Sequence, residues 1–592
     1  MNPGKPILIY DGDCGFCRRW IDRWHDITAD RIEYAPYQEA APRFPGIAKE
    51  DFQSSVILVE PDGKITKAAE AVFRSLAMVP SRTWPLWLYT RVPGTKPAAE
   101  WAYRLVASHR GFFSGISRVL WGEDVRRASY FLSGSFFIRS LGLIYAIAFV
   151  SLGTQILGLV GSGGIVPAHD YLNMIQDRSG IERFWLLPTL AWLNSSDGFL
   201  QFLCWAGAAF SIFILLGVLP AFFLFLSWAF YLSLLGIGGP FLSFQWDILL
   251  LETGFLSIFL APLNARVQLM SRGTSLGVIR FLLKLLLFKL LFLSGLVKLA
   301  SHDAAWGGLT ALRYHYETQP LTPWTAWYVH QMPAWFQTAS CFLMFGVELV
   351  VPFFIFFPRR IRHLSARILI GFQLLIILTG NYTFFNLLTI ALCMLLFDDS
   401  ARPGKISQKL EKWNTLPSRK VLAWPRVITG TIAILVLLAA LGVADFLRPF
   451  FIYNRYGLFA IMTTQRPEIV LEGSNDKKEW LPYEFKWKPG DLNRRPAFVA
   501  PHQPRLDWQM WFAALGNYRQ NDWFIGLCRR LLEGSPDVLR LLEKDPFPDQ
   551  PPRYIRAVVY RYHFTDPDER KRTGAWWRRE LKGPYCPVLS LE

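Results

Sequence analysis

The chain has little cysteine, no apolar N-terminus and a shortage of acidic residues, and each deficit removes a class of protein. Seven cysteines in 592 residues do not make a disulfide scaffold. No apolar h-region opens the chain, so no cleavable signal peptide is expected, and the polar stretch ahead of the first apolar span is expected to stay in the cytoplasm. No fixed-period repeat or low-complexity tract is visible. Nor is there the matched pair of Gly- or Pro-broken helices that an inverted-repeat transporter would show. Against 63 Lys and Arg stand only 46 Asp and Glu, a net charge of +17. The basic residues lie mostly between apolar spans, which is the positive-inside pattern and not a nucleic-acid stripe. Membrane lipids with anionic headgroups are therefore the expected counter-charge, and no nucleic-acid partner is expected.

The excess is aromatic and apolar, with 24 Trp and 47 Phe concentrated in the middle of the chain. Apolar spans read Ile138 to Val160, then 199–219, 221–238, 246–263, 281–300, 336–357, 366–380, 384–397 and 427–444. The pattern predicts a polytopic helical membrane body of about nine spans. Arg126, Arg127 and Arg139 stand at its entrance. The loops rich in Lys and Arg, 265–280, 358–367 and 398–426, fall on the side of the N-terminal domain if every span crosses. Residues 366–380 and 384–397 are short and joined only by Asn381-Tyr382-Thr383. Either both cross or they form a re-entrant pair, and in both cases the C-terminus lies outside.

The rest of the chain can be placed around Ser294 to Pro323, where an apolar helix becomes a loop rich in Trp, His and Tyr. The helix carries Lys284, Lys289 and Lys298, each of which costs about 2.5–3.5 kcal/mol at mid-membrane unless it snorkels or faces another helix. Counting 1.5 Å per residue puts Lys289 and Glu348 at one depth, so they are expected to meet. Asp247 and Lys298 both fall near the outer end, which leaves Glu252 as the least explained charge. The functional reading of these charges is a proton or ligand site; the structural one is glue between helices. Scattered His302, His315 and His330 lack zinc spacing, and no metal or cofactor is expected. Cys204, Cys341 and Cys393 read as small apolar packing residues.

At the N-terminus, Lys5 to Tyr10 has the pattern of a short buried strand, followed by Asp11-Gly12-Asp13-Cys14-Gly15-Phe16-Cys17 and a helical run to Asp26. Strand, turn, CxxC and helix together are a thioredoxin-like opening. A helix N-terminus stabilises a thiolate, which makes Cys14 the nucleophile and Cys17 the resolving thiol. Asp11 and Asp13 oppose this electrostatically, unless Asp13 caps the helix. The Asp-preceded CxxC resembles the DCC-type thiol-disulfide oxidoreductase family over about residues 5–125, through the segment that opens Ser54-Ser55-Val56-Ile57. No Pro precedes the strand Val56 to Val59, where a cis-Pro would face the thiols. The alternatives to a redox site are an inert relic and half of a zinc site, although no further Cys occurs before Cys204.

The tail, 448–592, is mixed. Glu468 to Gly473 and Trp480 to Trp487 flank Ser474-Asn475-Asp476-Lys477 as a hairpin, and Tyr554 to Phe564 alternates as a strand. Helices are expected over Leu506 to Leu515 and over Pro536 to Glu543, the latter capped by Ser535. Cys528 and Cys586 are left open between pairing and remaining free. From about residue 131 the chain is similar to the lipase maturation factor family. The matching words are 244–256 (FQWDILLLETGFL), 309–321 (LTALRYHYETQPL), 378–393 (LTGNYTFFNLLTIALC), 454–474 (NRYGLFAIMTTQRPEIVLEGS) and 494–515 (RRPAFVAPHQPRLDWQMWFAAL). That resemblance implies a membrane protein that assists folding of secreted lipases, in the endoplasmic reticulum for eukaryotic members. The fused DCC-like domain implies a bacterial member in the inner membrane.

The resulting expectation is a multidomain chain. A thioredoxin-like α/β domain (1–130) lies in the cytoplasm, a helical transmembrane domain spans 131–447, and a soluble α+β or β-sandwich-like module (448–592) lies outside. Its expected partners are an exported lipase or other secreted client and a cytoplasmic thiol partner. The client would be covered by Trp306, Tyr314 and His315 of the outer loop and by His502, Arg505, Asp507, Trp508 and Trp511 of the tail, where Trp508 and Trp511 share a helical face. The alternative for that face is packing into the tail's own core. The alternatives are a thiol-disulfide oxidoreductase working through Cys14 and Cys17, and a small-molecule transporter or lipid-active membrane enzyme built on the buried charges.

Overall fold

The computed structural model describes residues 4–126, 128–265, 277–401 and 422–591. Most of the basic loops 265–280 and 398–426, together with Arg127, lie outside the described residues. Contacts divide the chain into two compact units, one of residues 1–129 with 356–364 and one of 130–355 with 365–592.

In the first unit, strand β1 (Ile7–Tyr10) leads into helix α1 (Gly15–Thr28), and β2 (Glu33–Pro36) returns parallel to β1. Strand β3 (Ile57–Val59) runs antiparallel to β1, and β4 (Ile65–Lys67) antiparallel to β3, giving the order β2-β1-β3-β4. Ile7, Leu8, Ile9, Ile57 and Leu58 are completely buried, so both faces of the two central strands are covered. Their near-continuous apolar runs are the sequence form of that double cover. Helix Ala68–Ala77 follows β4, and three more helices, Trp84–Arg91, Thr95–Ser108 and Arg110–Trp121, complete the unit.

In the second unit every predicted apolar span contains a helix, with shifted ends. Among the described residues, five helices are long and apolar enough to cross a membrane: Phe131–Gly153, Asp197–Leu216, Pro220–Ile237, Ala334–Phe356 and Arg359–Thr379. The first begins seven residues ahead of the predicted Ile138, and the predicted end falls on a separate short helix, Ile156–Val160. The stretch 366–380, expected to be short, extends back to Arg359, because Arg359, Arg360, Arg362 and Arg367 hide its first two turns from a hydropathy reading. Gln245–Leu260, Gly277–Ala300, Phe385–Met394 and Arg426–Ala440 supply the remaining helices at predicted spans.

The tail carries a four-stranded antiparallel sheet ordered Trp577–Leu589, Tyr554–Phe564, Arg466–Ser474, Leu481–Pro482. The predicted hairpin forms, but Trp480 to Trp487 is not one strand. Only Leu481–Pro482 pairs with Arg466–Ser474, while Glu484–Phe485 pairs with Leu542–Lys544. That second pairing ends the helix expected over Pro536 to Glu543 at Leu539. Ser535 does not cap it by side chain; its hydroxyl donates to the Gly163 carbonyl. One apolar core runs from Phe137 and Tyr231 in the helical body through Trp508 and Leu527 to Cys586 in the tail, so these segments pack as one unit.

Candidate functional site

The CxxC motif sits where β1 ends and α1 begins. Cys14 itself, and not Asp13, is the cap residue: its Sγ accepts the backbone N–H of Cys17 at 3.2 Å. That contact fixes the sulfur at the helix N-terminus, where the first peptide N–H groups of α1 point outward. Burial, with Cys14 alongside, pushes the Cys17 thiol up to about 12, so Cys17 stays protonated. Asp13 is held aside, with Oδ2 accepting from Gln38 Nε2 at 3.0 Å. The same Gln38 accepts the Gly12 N–H at 3.1 Å through Oε1. A Cβ on Gly12 would stand 2.8 Å from that oxygen and from Pro36 Cβ, which explains the glycine between the two acids. Asp11 is partly neutralised by Arg110, 3.6 Å away.

Behind Cys17 lies an apolar cavity of about 530 Å³, lined among others by Phe16, Trp20, Val56, Phe73, Tyr103 and Trp121. At the position expected for a proline, Val56 donates its N–H to the Tyr103 hydroxyl at 2.9 Å. Gln38, Tyr103 and Arg110 were not legible as site residues, since they lie 21 or more positions beyond Cys17 and carry no motif of their own.

In the second unit the buried charges pair differently from the depth count. Lys289 bonds Glu252 at 2.6 Å and Lys298 bonds Glu348 at 2.6 Å; Lys289 and Glu348 are not partners. The reason is helix register. Glu348 and Leu349 press against Gly295, where a Cβ would meet Glu348 Cβ at 3.0 Å, and Lys298 lies one turn further on. Lys289 is nine residues, about 13 Å, from Lys298 and out of reach of the same carboxylate. Glu252, the charge least explained by the sequence, also accepts the Asn454 N–H at 2.9 Å and the Tyr456 hydroxyl at 2.8 Å.

Asp247 does not associate with Lys298. It receives a bidentate pair from Arg505, Nη1 to Oδ2 at 3.0 Å and Nη2 to Oδ1 at 2.9 Å, and the Tyr231 hydroxyl at 2.5 Å. Arg505 and Asp247 are 1 % and 0 % exposed. Arg505 Nη1 further donates to the Phe241 carbonyl at 2.6 Å.

The residues assigned to client contact are mostly interior. Trp508 packs edge-on against Trp246, with ring centres 4.7 Å apart, and Trp511 donates its indole N–H to the Thr318 carbonyl at 2.9 Å. Both are buried, which removes them as a client face. Helix Arg505–Ala514 is covered on nearly all sides, so the shared face of the two rings is core. Asp507 caps the chain at the backbone N–H groups of Trp487 and Lys488, 2.8 and 2.9 Å away. Trp306 is buried and donates to the Phe459 carbonyl at 2.8 Å. His315 meets the Tyr382 hydroxyl at 3.2 Å and His502 meets the Ser151 hydroxyl at 2.9 Å. Burial pushes both imidazoles down to about 4, with Lys298 assisting at His315 and Arg505 at His502. Tyr314 alone of these residues is exposed.

Two further ties were not foreseen. Arg466, completely buried, donates to the carbonyls of Glu317, Gln319 and Pro320 and pairs with Glu468. Asn381 donates to Leu321 and Ala497 carbonyls and accepts the N–H groups of Val499 and Ala500. Cys528 and Cys586 are unbridged neighbours.

Comparison with known proteins completes the picture. A model of the lipase maturation factor transmembrane domain matches residues 132–403, one of the lipase maturation factor C-terminal domain matches 452–587, and one of DCC1-like thiol-disulfide oxidoreductases matches 8–115. Lipase maturation factor 2 of Homo sapiens is 35 % identical over 595 residues, covering 77 % of this chain and 82 % of the relative. The Gallus gallus relative of the same name is 36 % identical over 593 residues, covering 79 % and 82 %. Lipase maturation factor 1 of Bos taurus is 35 % identical over 510 residues, covering 79 % and 91 %. No solved structure matches the chain.

Proposed function

The chain belongs to the lipase maturation factor family and carries a DCC1-like thiol-disulfide oxidoreductase domain at its N-terminus, and on that premise we propose that it is a membrane-embedded maturation factor for exported proteins, lipases among them. In this reading nine spans place the first domain in the cytoplasm and residues 448–592 outside, as the basic loops of the sequence favour. The buried ion pairs are glue between segments and not a transport path.

The observation that carries the reading is the locking of the five family-like segments to one another. Asp247 and Glu252 are held by Arg505, Asn454 and Tyr456, the Glu317–Pro320 carbonyls by Arg466, and Asn381 by 497–500. Such interior ties build a rigid scaffold, and they leave Tyr314, Tyr328, Met332 and Ile461 exposed near its loops. Apolar and aromatic side chains held rigidly in the open suit a partly folded client, which presents the same kind of surface. The test is capture of an acid-unfolded and diluted secreted lipase by the detergent-solubilised full chain. Tyr314→Ser with Tyr328→Ser is expected to weaken capture about tenfold while the chain keeps its elution volume. Unchanged capture by that variant refutes the assignment of the surface.

The cap geometry of Cys14 favours thiol exchange as a second activity. The Cys14 thiolate attacks one sulfur of a partner disulfide and releases the partner's other sulfur as thiolate. Cys17, giving up its proton to that thiolate, then attacks Cys14 Sγ, which closes the Cys14–Cys17 disulfide and releases the partner's second sulfur as a thiolate that takes a proton from water, leaving the partner a dithiol. In the full chain at pH 7, iodoacetamide is expected to modify Cys14 well ahead of Cys17. Equal modification would leave the exchange without its nucleophile.

A further inference from the structure

Three helices of the N-terminal unit, Trp84–Arg91, Thr95–Ser108 and Arg110–Trp121, add no strand to its sheet, and their outer faces are unusual. The first packs on the second and the second on the third. Trp84 and Trp87, at i and i+3, are 61 % and 58 % exposed; Trp101, on the second helix, is 63 % exposed, with Leu105 one turn on. On the third, Phe112, Ile116 and Val119 form an outward row at i, i+4 and i+7, and Phe112 is 66 % exposed. That helix is apolar on both sides, since Phe113 and Leu120 line the cavity behind Cys17. A helix face in water carries charged and polar residues, and an apolar one needs a cover.

The charges indicate the cover. Between residues 80 and 121 lie six basic residues and the single acid Glu100, which is engaged by the Tyr89 hydroxyl at 2.8 Å; Lys96, Arg110 and Arg118 pair with Glu70, Asp11 and Glu123, while Arg82, Arg91 and Arg104 pair with no carboxylate among the described residues. Val119 is twelve residues ahead of the helix Phe131–Gly153, the first long enough to cross a membrane, so even an extended chain keeps this face within about 40 Å of it. We propose that the three helices form a membrane-docking face, with Trp84, Trp87, Trp101 and Phe112 in the headgroup boundary and Arg82, Arg91 and Arg104 on anionic headgroups. Tryptophan settles at that depth because its ring is apolar while its N–H stays hydrated, and basic amphipathic helices lie in the same plane. A protein partner would ordinarily include acidic and hydrogen-bonding complements; exposed rings beside arginines that no carboxylate among the described residues neutralises match anionic lipid more closely.

The test uses the full chain in nanodiscs of phosphatidylcholine with about 25 % phosphatidylglycerol, a load comparable with an anionic leaflet. In a Cys14→Ser, Cys17→Ser background the five remaining cysteines are buried. A bimane label is placed by Phe112→Cys, or by Glu50→Cys at an exposed control site, and quenched by lipids spin-labelled near the headgroup. Quenching at position 112 is expected to exceed that at position 50 by about threefold and to fall by half or more when phosphatidylglycerol is omitted. Equal quenching at the two positions overturns the proposal, and so does quenching at 112 that ignores phosphatidylglycerol.

Discussion

Replacing Asp247 by Asn leaves the Arg505 guanidinium enclosed without its counter-charge. The two groups are 1 % and 0 % exposed, and the arginine keeps only neutral acceptors, the Phe241 carbonyl, the Tyr231 hydroxyl and the one amide oxygen that the substitution retains. Removing one partner of a buried, hydrogen-bonded pair costs about 3–5 kcal/mol, because the surviving charge is stranded. Arg505→Met strands Asp247 in the same way and should cost a similar amount. The double variant Asp247→Asn with Arg505→Met strands neither charge, so it is expected to be far less damaging than the sum of the two, with a coupling of about 3 kcal/mol. If the second unit unfolds as one body, its unfolding entropy near 1 kcal/mol/K turns each single loss into a fall of about 3–5 °C. The assay is thermal challenge of the detergent-solubilised chain followed by size exclusion, with limited proteolysis to report whether residues 448–592 are released. Additive losses in the double variant, or single variants as stable as the parent, would refute the role of this pair in fastening the tail.

The same cycle applied to Lys298 and Glu348 should show strong coupling, whereas Lys289 with Glu348 should be additive; coupling in the second pair would mean that the helix register is wrong. Trp508→Ala with Trp511→Ala should lower abundance and expose the tail to protease, at about 3–5 kcal/mol per ring, and normal abundance would show that neither ring is core. His315 and His502 are held neutral, with folded values near 4 against about 6.5 unfolded. Their contribution is complete above pH 6.5 and is lost as pH falls from there towards 4, because the unfolded chain takes up the protons first. With partial exposure discounted, each should supply about 2 kcal/mol of acid sensitivity. His502→Asn, which can keep the bond to Ser151, should flatten the stability profile between pH 6.5 and 4; an unchanged slope would show that His502 is not the group titrating.

Local chemistry by itself determined a good deal of this protein. Continuous apolar runs located the helices, because a hydrophobic stretch needs no partner to be recognised. The alternation in Tyr554 to Phe564 gave that strand its observed bounds, and the strand–CxxC–helix order placed Cys14 and Cys17 at a helix start. The long family-like words also identified the lipase maturation factor family, since runs of that length carry more information than any spacing rule. Strand Trp577–Leu589 was missed: Gly583, Pro584 and Pro587 interrupt its pattern, and the structure accommodates them with register shifts against its neighbour.

Tertiary structure alone decided which charge meets which. Depth along a helix is one coordinate, and pairing needs three: rotation about the axis and stagger between helices sent Lys298 to Glu348 through the close approach at Gly295. Asp247 and Glu252 found their partners 258 and 202 positions away, in a tail that sequence reading had set apart as a separate module. Burial of Trp508 and Trp511 has the same origin. Two rings at i and i+3 define a face, but whether that face meets water, a client or Trp246 depends on what the rest of the chain brings against it.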